Sequence, residues 1–298
     1  MRPFTTALLL ALAAHSLAAA AATQQRFPSP EAAMHALESA LREKKTDRVE
    51  AILGPESDTI VSSGDAVDDD AARKRFLAAA GKKTRIEKSD DGAMAIVHLG
   101  SDDWPFPIPL VRDGDGWRFD TPAGKEELLN RRIGRNELTT ISVCREFADA
   151  QGEYHARFGA YAQSFRSTQG MKDGLYWEEK DGDASPLGPR VATASAEGYQ
   201  HPNAAEATLS PYHGYYFRIL TAQGPHGPGG AMSYVKDGKM VGGFALIAWP
   251  AEHGVSGVMT FMVSREGVVY QKDLGAGTSE VAKAITAFDP DASWDPTR

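Results

Sequence analysis

The apolar positions of the first hundred residues change spacing once, and that change divides helices from strands. Ala33, Met34, Leu37 and Leu41 recur three and four apart and make one helix-wide stripe. Ser29 ahead of it is a good N-cap, Pro30 suits the first helical position, and Glu31 lies in the first turn. A shorter helix is predicted over 47–53, stopped by Gly54-Pro55, and a third over 71–80. From there on the runs are short, apolar and β-branched, which predicts strands at 84–87, 93–99, 106–111 and 117–120. Asp113-Gly114-Asp115-Gly116 joins the last two as a hairpin turn. Its paired aspartates could open a calcium loop, but the acidic ligands that should follow are absent, so a turn is favoured.

Residues 122–158 return to helical spacing. One helix is predicted over 125–132, a break at Gly134, and a second helix capped by Asn136 with Leu138, Ile141, Cys144, Phe147 and Ala148 on one face. From Gly174 the chain becomes rich in Gly, Pro and Tyr. Strands are predicted at 215–220, 244–249, 258–263 and 268–271, with turns at 264–267 and at Asp237-Gly238. Residues 178–211 and 222–230 read as long loops. No internal repeat is visible. Helices followed by an antiparallel meander, twice over, make an α+β fold of two modules. The expected division is 27–121, a helical connector at 122–135, and 136–298. In the second module a helix should cover one face of an antiparallel sheet, burying Leu138, Ile141, Phe217, Phe244, Leu246, Val258 and Phe261.

Residues 1–22 stand outside this pattern. Arg2, the uncharged run 7–14 and the small residues 18–22 have the three parts of a secretory signal peptide. Cleavage is expected near 21–23, leaving a periplasmic or extracellular protein without stable membrane insertion. The stretch is mostly alanine, broken by His15 and Ser16, and is a poor spanning helix.

Charge and cysteine content narrow the function. The 298 residues carry 32 basic and 40 acidic side chains, a net charge of −8. A scattered acidic excess argues against nucleic acid or anionic lipid as partner. Cys144 is the single cysteine, so neither an intramolecular disulfide nor a thiolate zinc site can form.

No preset catalytic constellation is found. Cys144 and His155 are eleven residues apart, about 16 Å along one helix, too far for a thiol–imidazole pair. Cys144 is expected to be a small buried apolar residue. His201, His226 and His253 fall in loops of the half that holds His213, but no pair has the spacing that presets a metal site. His213, among Tyr212, Tyr215 and Tyr216, reads as the polar member of an aromatic cluster. Ser62-Ser63-Gly64-Asp65 and Ser256-Gly257 do not make the nucleophile elbow. Residues 224–230 are glycine-rich, yet their prolines remove the N–H donors of a phosphate cradle. The run 104–109 offers exposed aromatics for a sugar or peptide, against an edge-strand reading that its prolines favour. Neither cofactor nor metal is expected. The candidate ligand- or partner-binding residues are Trp104, Tyr212, His213, Tyr215 and Arg218.

Four runs carry a family resemblance: DWPFPIPL at 103–110, LNRRIGRNE at 129–137, YHGYYFRIL at 212–220 and GVSGVMTF at 254–261. Together they resemble an exported bacterial family known as domain of unknown function 2950, over nearly all of the chain after the leader. The resemblance implies no activity. The opening FPSPEAA at 27–33 and the short second helix also resemble nuclear-transport-factor-like, or cystatin-like, cone domains. The order of helix, aromatic strand and three apolar strands after 136 resembles the globular head of pilins and pseudopilins. Arg145, Glu146, Asp149 and Glu153 on that helix exclude the membrane-spanning role of a pilin helix. The expected function is that of a non-catalytic envelope protein binding another protein or a small ligand. The alternative is a periplasmic hydrolase with its site in the cone or under the C-terminal loops.

Overall fold

The computed structural model describes residues 24–180, 182–197, 199 and 210–297, so the leader and His201 lie outside the described residues. Helix α1 (Pro30–Arg42) starts where its cap dictates, the Ser29 side chain accepting the Ala32 N–H. Helix α2 (Thr46–Leu53) stops at Gly54, whose φ of 94° a side chain would resist. Helix α3 (Asp58–Val61) is a single turn, too short to show a period. Helix α4 (Ala66–Lys82) begins earlier than the predicted 71, because the Asp65 carboxylate accepts the N–H groups of Val67 and Asp68.

Five antiparallel strands follow: β1 (Thr84–Lys88), β2 (Met94–Leu99), β3 (Trp104–Pro105), β4 (Leu110–Asp113) and β5 (Gly116–Phe119). Their order is β1-β2-β4-β5, with β3 also paired to β2. The single strand predicted at 106–111 does not form. Pro107 and Pro109 cannot donate to a ladder. The free edge of β2 is therefore shared, His98 facing Pro105 of β3 and Met94 facing Val111 of β4. Met34, Leu37, Ile52, Val97, Leu110 and Phe119 bury one core between α1, α2 and this sheet.

Helix α5 (Thr121–Phe158) is one unbroken helix of 38 residues. The predicted break at Gly134 is overridden. Glycine costs about 1 kcal/mol against alanine inside a helix, and the residues on either side of it are held by long-range bonds. Arg132 donates through both Nη atoms to the Thr59 and Ile60 carbonyls at 2.6 Å, and Asn136 Nδ2 donates to the Ser256 carbonyl at 2.9 Å. Gly124 and Leu128 lie about 160° round the helix from Cys144. One face therefore meets the first core and the opposite face the second. Gly124 has to be glycine, since a Cβ there would stand 2.6 Å from Ile108 Cα and from the Pro107 carbonyl oxygen.

Beyond α5 come α6 (Gly188–Glu197), β6 (Tyr215–Leu220), β7 (Ala222–Gln223), β8 (Met232–Ser233), β9 (Val235–Lys236), β10 (Lys239–Met240), β11 (Ala245–Pro250), β12 (Met259–Ser264), β13 (Val269–Asp273), α7 (Thr278–Ala284) and β14 (Asp295–Pro296). The main sheet runs β14-β13-β12-β11-β6, antiparallel throughout. The downstream half of α5 covers one face, bringing Cys144, Phe147 and Tyr154 into a core with Phe244, Leu246 and Phe261. On the opposite alternation Arg218 lies over the Trp249 ring and bonds the Ala282 carbonyl of α7 on the other face.

Three expectations change. Leu138 is 72% exposed, because it sits about 120° round the helix from Cys144. Ile141, Phe217 and Val258 are half-buried rather than buried. Helix α6 and strand β7 occupy parts of the stretches read as loops. In α6 only Ala194 is buried, and Val191 is its one apolar side chain larger than alanine.

Candidate functional site

The run Tyr212-His213-Gly214-Tyr215 forms the turn that launches β6. His213 and Gly214 have φ of 47° and 74°, the positive pair that a tight two-residue hairpin demands. Tyr212 and Tyr215 exchange backbone bonds across it at 2.8 and 3.2 Å. A Cβ on Gly214 would stand 2.6 Å from Asn136 Nδ2 and 2.9 Å from Ser256 Cβ, so the turn sits hard against α5 and the β11–β12 loop.

A buried carboxylate grips the turn from the N-terminal half. Asp65 is 1% exposed. Its Oδ2 accepts the Gly214 N–H at 2.8 Å and the Tyr199 hydroxyl at 2.9 Å. Its Oδ1 accepts the Val67 and Asp68 N–H groups at 3.1 and 3.2 Å. The Tyr199 hydroxyl in turn accepts the His213 N–H at 3.1 Å. Burial, followed by the charge of Asp65, pushes the Tyr199 phenol far above its ordinary value. Beside this knot Asp69 accepts the Ser63 N–H at 3.0 and 3.2 Å. Burial raises the Asp69 carboxyl from its ordinary range against the lowering pull of Ser63 and Arg132.

A half-exposed carboxylate grips the same turn from α6. Glu197 Oε2 lies 3.0 Å from His213 Nε2, and the Tyr212 hydroxyl donates to it at 3.5 Å. Arg190 reaches the Tyr212 hydroxyl at 3.5 Å and forks onto Glu146 of α5. The rings of Tyr199, Tyr212 and His213 meet pairwise with centroids 4.3–5.3 Å apart. Burial raises the Tyr212 hydroxyl above its ordinary value.

Of the five residues singled out in sequence, Tyr212 and His213 come together here. Tyr215 is fully buried, its hydroxyl donating to the Met259 carbonyl at 3.0 Å. Arg218 spends its guanidinium on the Ala282, Lys283 and Ile285 carbonyls at the end of α7. Trp104 lies on β3, 36% exposed, with Arg131 stacked 5.5 Å from its ring. The sequence reading missed Asp65, Tyr199, Glu197 and Arg190. Only Asp65 had a local signal, as a helix N-cap followed by Asp68 and Asp69.

Of the remaining candidate nucleophiles, Ser62 is exposed, while Ser63, Ser256 and Cys144 are held by local structure. Ser63 Oγ accepts the Asp65 N–H at 3.3 Å. Ser256 Oγ accepts the Glu252 N–H and donates to the Glu252 carbonyl. Cys144 is buried, and burial pushes its thiol up to about 12. His155 stacks on Tyr161, while His226 and His253 pair with Asp289 and Asp273 at 3.0 and 2.8 Å. Among the described residues no three His, Cys, Asp or Glu side chains gather as metal ligands, and no helix is long and apolar enough to cross a membrane.

No curated protein and no solved structure matches the chain. The four distinctive runs found in the sequence nevertheless lie together in one family model, described as "Protein of unknown function (DUF2950)", which matches residues 24–297; the chain belongs to that family.

Proposed function

We propose that this is an exported envelope protein that binds or helps assemble a partner without catalysing a reaction, and that α6 with the Tyr212–Gly214 turn is its contact surface. The observation behind this reading is that the chemistry-bearing groups around the turn are already spent on structure. All four bonds to the Asp65 carboxylate hold backbone or Tyr199, and Ser63 and Ser256 of the candidate turns are bonded locally. What stays accessible is a polar and aromatic surface of Tyr212, His213, Glu197 and Arg190 on a firmly braced turn, a composition suited to recognition. Export is supported by the three-part leader at 1–22. The reading takes residues 27–121 as a cone-like unit and 136–298 as a pilin-like unit sharing α5.

A hydrolase is the second reading. It is favoured by one observation, that His213, Glu197 and the Tyr212 hydroxyl meet within 3.5 Å. Against it, the Tyr212 hydroxyl that meets this pair has its pKa raised, which weakens it as a nucleophile.

Two measurements decide. The purified protein, offered nitrophenyl esters, phosphates and glycosides, should give no turnover above blank. Turnover that His213→Ala abolishes overturns the binding reading. In the native cell, a photo-crosslinking side chain at Tyr212 should yield one discrete adduct that Arg190→Ala diminishes.

A further inference from the structure

We propose that the groove between the first turns of α5 and the β11–β12 loop binds an extended peptide segment of a partner protein, its backbone bonded to Glu126 and Asn130 and an apolar side chain seated on Leu129, Ile133 and Val258. The groove encloses about 410 Å³. It exists because the face of α5 that packs on the main sheet runs on upstream, past the end of the sheet. Leu129 and Ile133 stay on that face and are half-buried there.

The same stripe already binds non-helical backbone one step downstream. Glu137 Oε1 accepts the Val258 and Met259 N–H groups at 3.0 Å each, and Asn136 Nδ2 donates to the Ser256 carbonyl at 2.9 Å. One carboxylate and one carboxamide on the helix thus hold the backbone of the loop that leads into β12. Glu126 stands three turns before Glu137, about 16 Å along and about 20° round the helix, and Asn130 follows it by a turn. Among the described residues neither side chain has a hydrogen-bond or ion-pair partner, and neither has Lys125 at the rim. A rim of one cation, one anion and one carboxamide is complementary to a peptide backbone, which offers carbonyls and N–H groups alternately. It suits a purely anionic or purely apolar ligand less well. The stretch from Pro122 to Ile133 is about 16 Å long, room for about five extended residues.

The proposal rests on the binding reading but uses a different surface, so the two fail separately. The ¹⁵N-labelled protein is titrated with a capped hexapeptide of alternating leucine and serine. Amide shifts should gather at Leu129, Ile133, Gly254 and Val258. Glu126→Gln and Asn130→Ala should each weaken binding about tenfold without moving the melting temperature, since both side chains are exposed. His213→Ala should leave the titration unchanged, whatever it does to the α6 surface. Unchanged affinity in both groove variants overturns the proposal. So do an absence of shifts at millimolar peptide, larger groove shifts with decanoate than with peptide, and groove shifts that follow protein concentration alone, which would indicate a second copy.

Discussion

Two carboxylates hold the Tyr212–Gly214 turn, and they differ in almost everything except that task. Asp65 approaches from the N-terminal half, is buried, and accepts four hydrogen bonds. Glu197 approaches from α6, is 40% exposed, and meets one imidazole and one distant hydroxyl. A buried carboxylate must have its oxygens filled, because each unmet bond costs its full desolvation. A half-exposed one can trade a partner for water at little cost. Burial therefore makes Asp65 a structural clasp, and exposure leaves Glu197 available to something outside the molecule.

The sharpest way to break this contrast is Asp65→Ala. It removes the cap of α4 and strands the Tyr199 hydroxyl and the Gly214 N–H in the seam. The expected loss is about 3–4 kcal/mol, built from one N-cap and two buried unmet donors. Urea unfolding should show it as a lower midpoint with an unchanged slope. A loss below about 1 kcal/mol would mean that the seam is not held as described.

Tyr199→Phe comes next in size. It keeps the ring against Tyr212 and His213 and removes only the hydroxyl that bridges Asp65 to the His213 N–H. About 1–2 kcal/mol should be lost. If the half-exposed and buried grips were equivalent, this variant would cost no more than Glu197→Gln.

A smaller effect has a definite sign. Burial raises the folded-state pKa of Asp69 above its ordinary 3.8. Such a group favours folding when protonated. That contribution is fully present below the ordinary value and is lost as pH rises through the raised one. Asp69→Asn keeps an oxygen for the Ser63 N–H and removes the titration. Its stability should match or exceed that of the parent at pH 7, and stability should depend less steeply on pH above the ordinary carboxylate value. A variant less stable than the parent at pH 7 would show that the ionised carboxylate is the favoured partner of Arg132.

This contrast also marks what the sequence could and could not tell. Strand β6 and the start of α1 were readable because their signals are local: apolar residues in a row, Ser29 before Pro30. The Asp65–Gly214 bond spans 149 residues, and nothing near Asp65 names its partner. Helix α5 was misread for the same reason. Gly134 and Asn136 carry local signals of a break, while Thr59, Ile60 and Ser256, which anchor the helix on either side, lie far off in the chain. Three-residue spacing to Ile141 and Cys144 puts Leu138 on the buried face, but two such steps drift about 120° round the helix. Its helical angle puts it outside, where one exposed leucine is tolerated. Helix α6 escapes a local reading because Val191 is its one apolar side chain larger than alanine, so few strong apolar positions mark it.

The last test is the smallest in stability and the most telling for function. Glu197→Gln keeps the shape of the side chain and removes its charge. His213 Nε2 retains an oxygen to bond, and Tyr212 keeps its place between Tyr199 and Arg190. The ion pair is half-exposed, so the unfolding free energy should change by no more than a few tenths of a kcal/mol. The adduct formed by a crosslinker at Tyr212 should nonetheless weaken, because a surface charge sets complementarity and encounter more than it sets fold. A stability loss as large as that of Tyr199→Phe would make Glu197 a second clasp. A stable variant whose adduct is undiminished would move the contact surface away from this carboxylate.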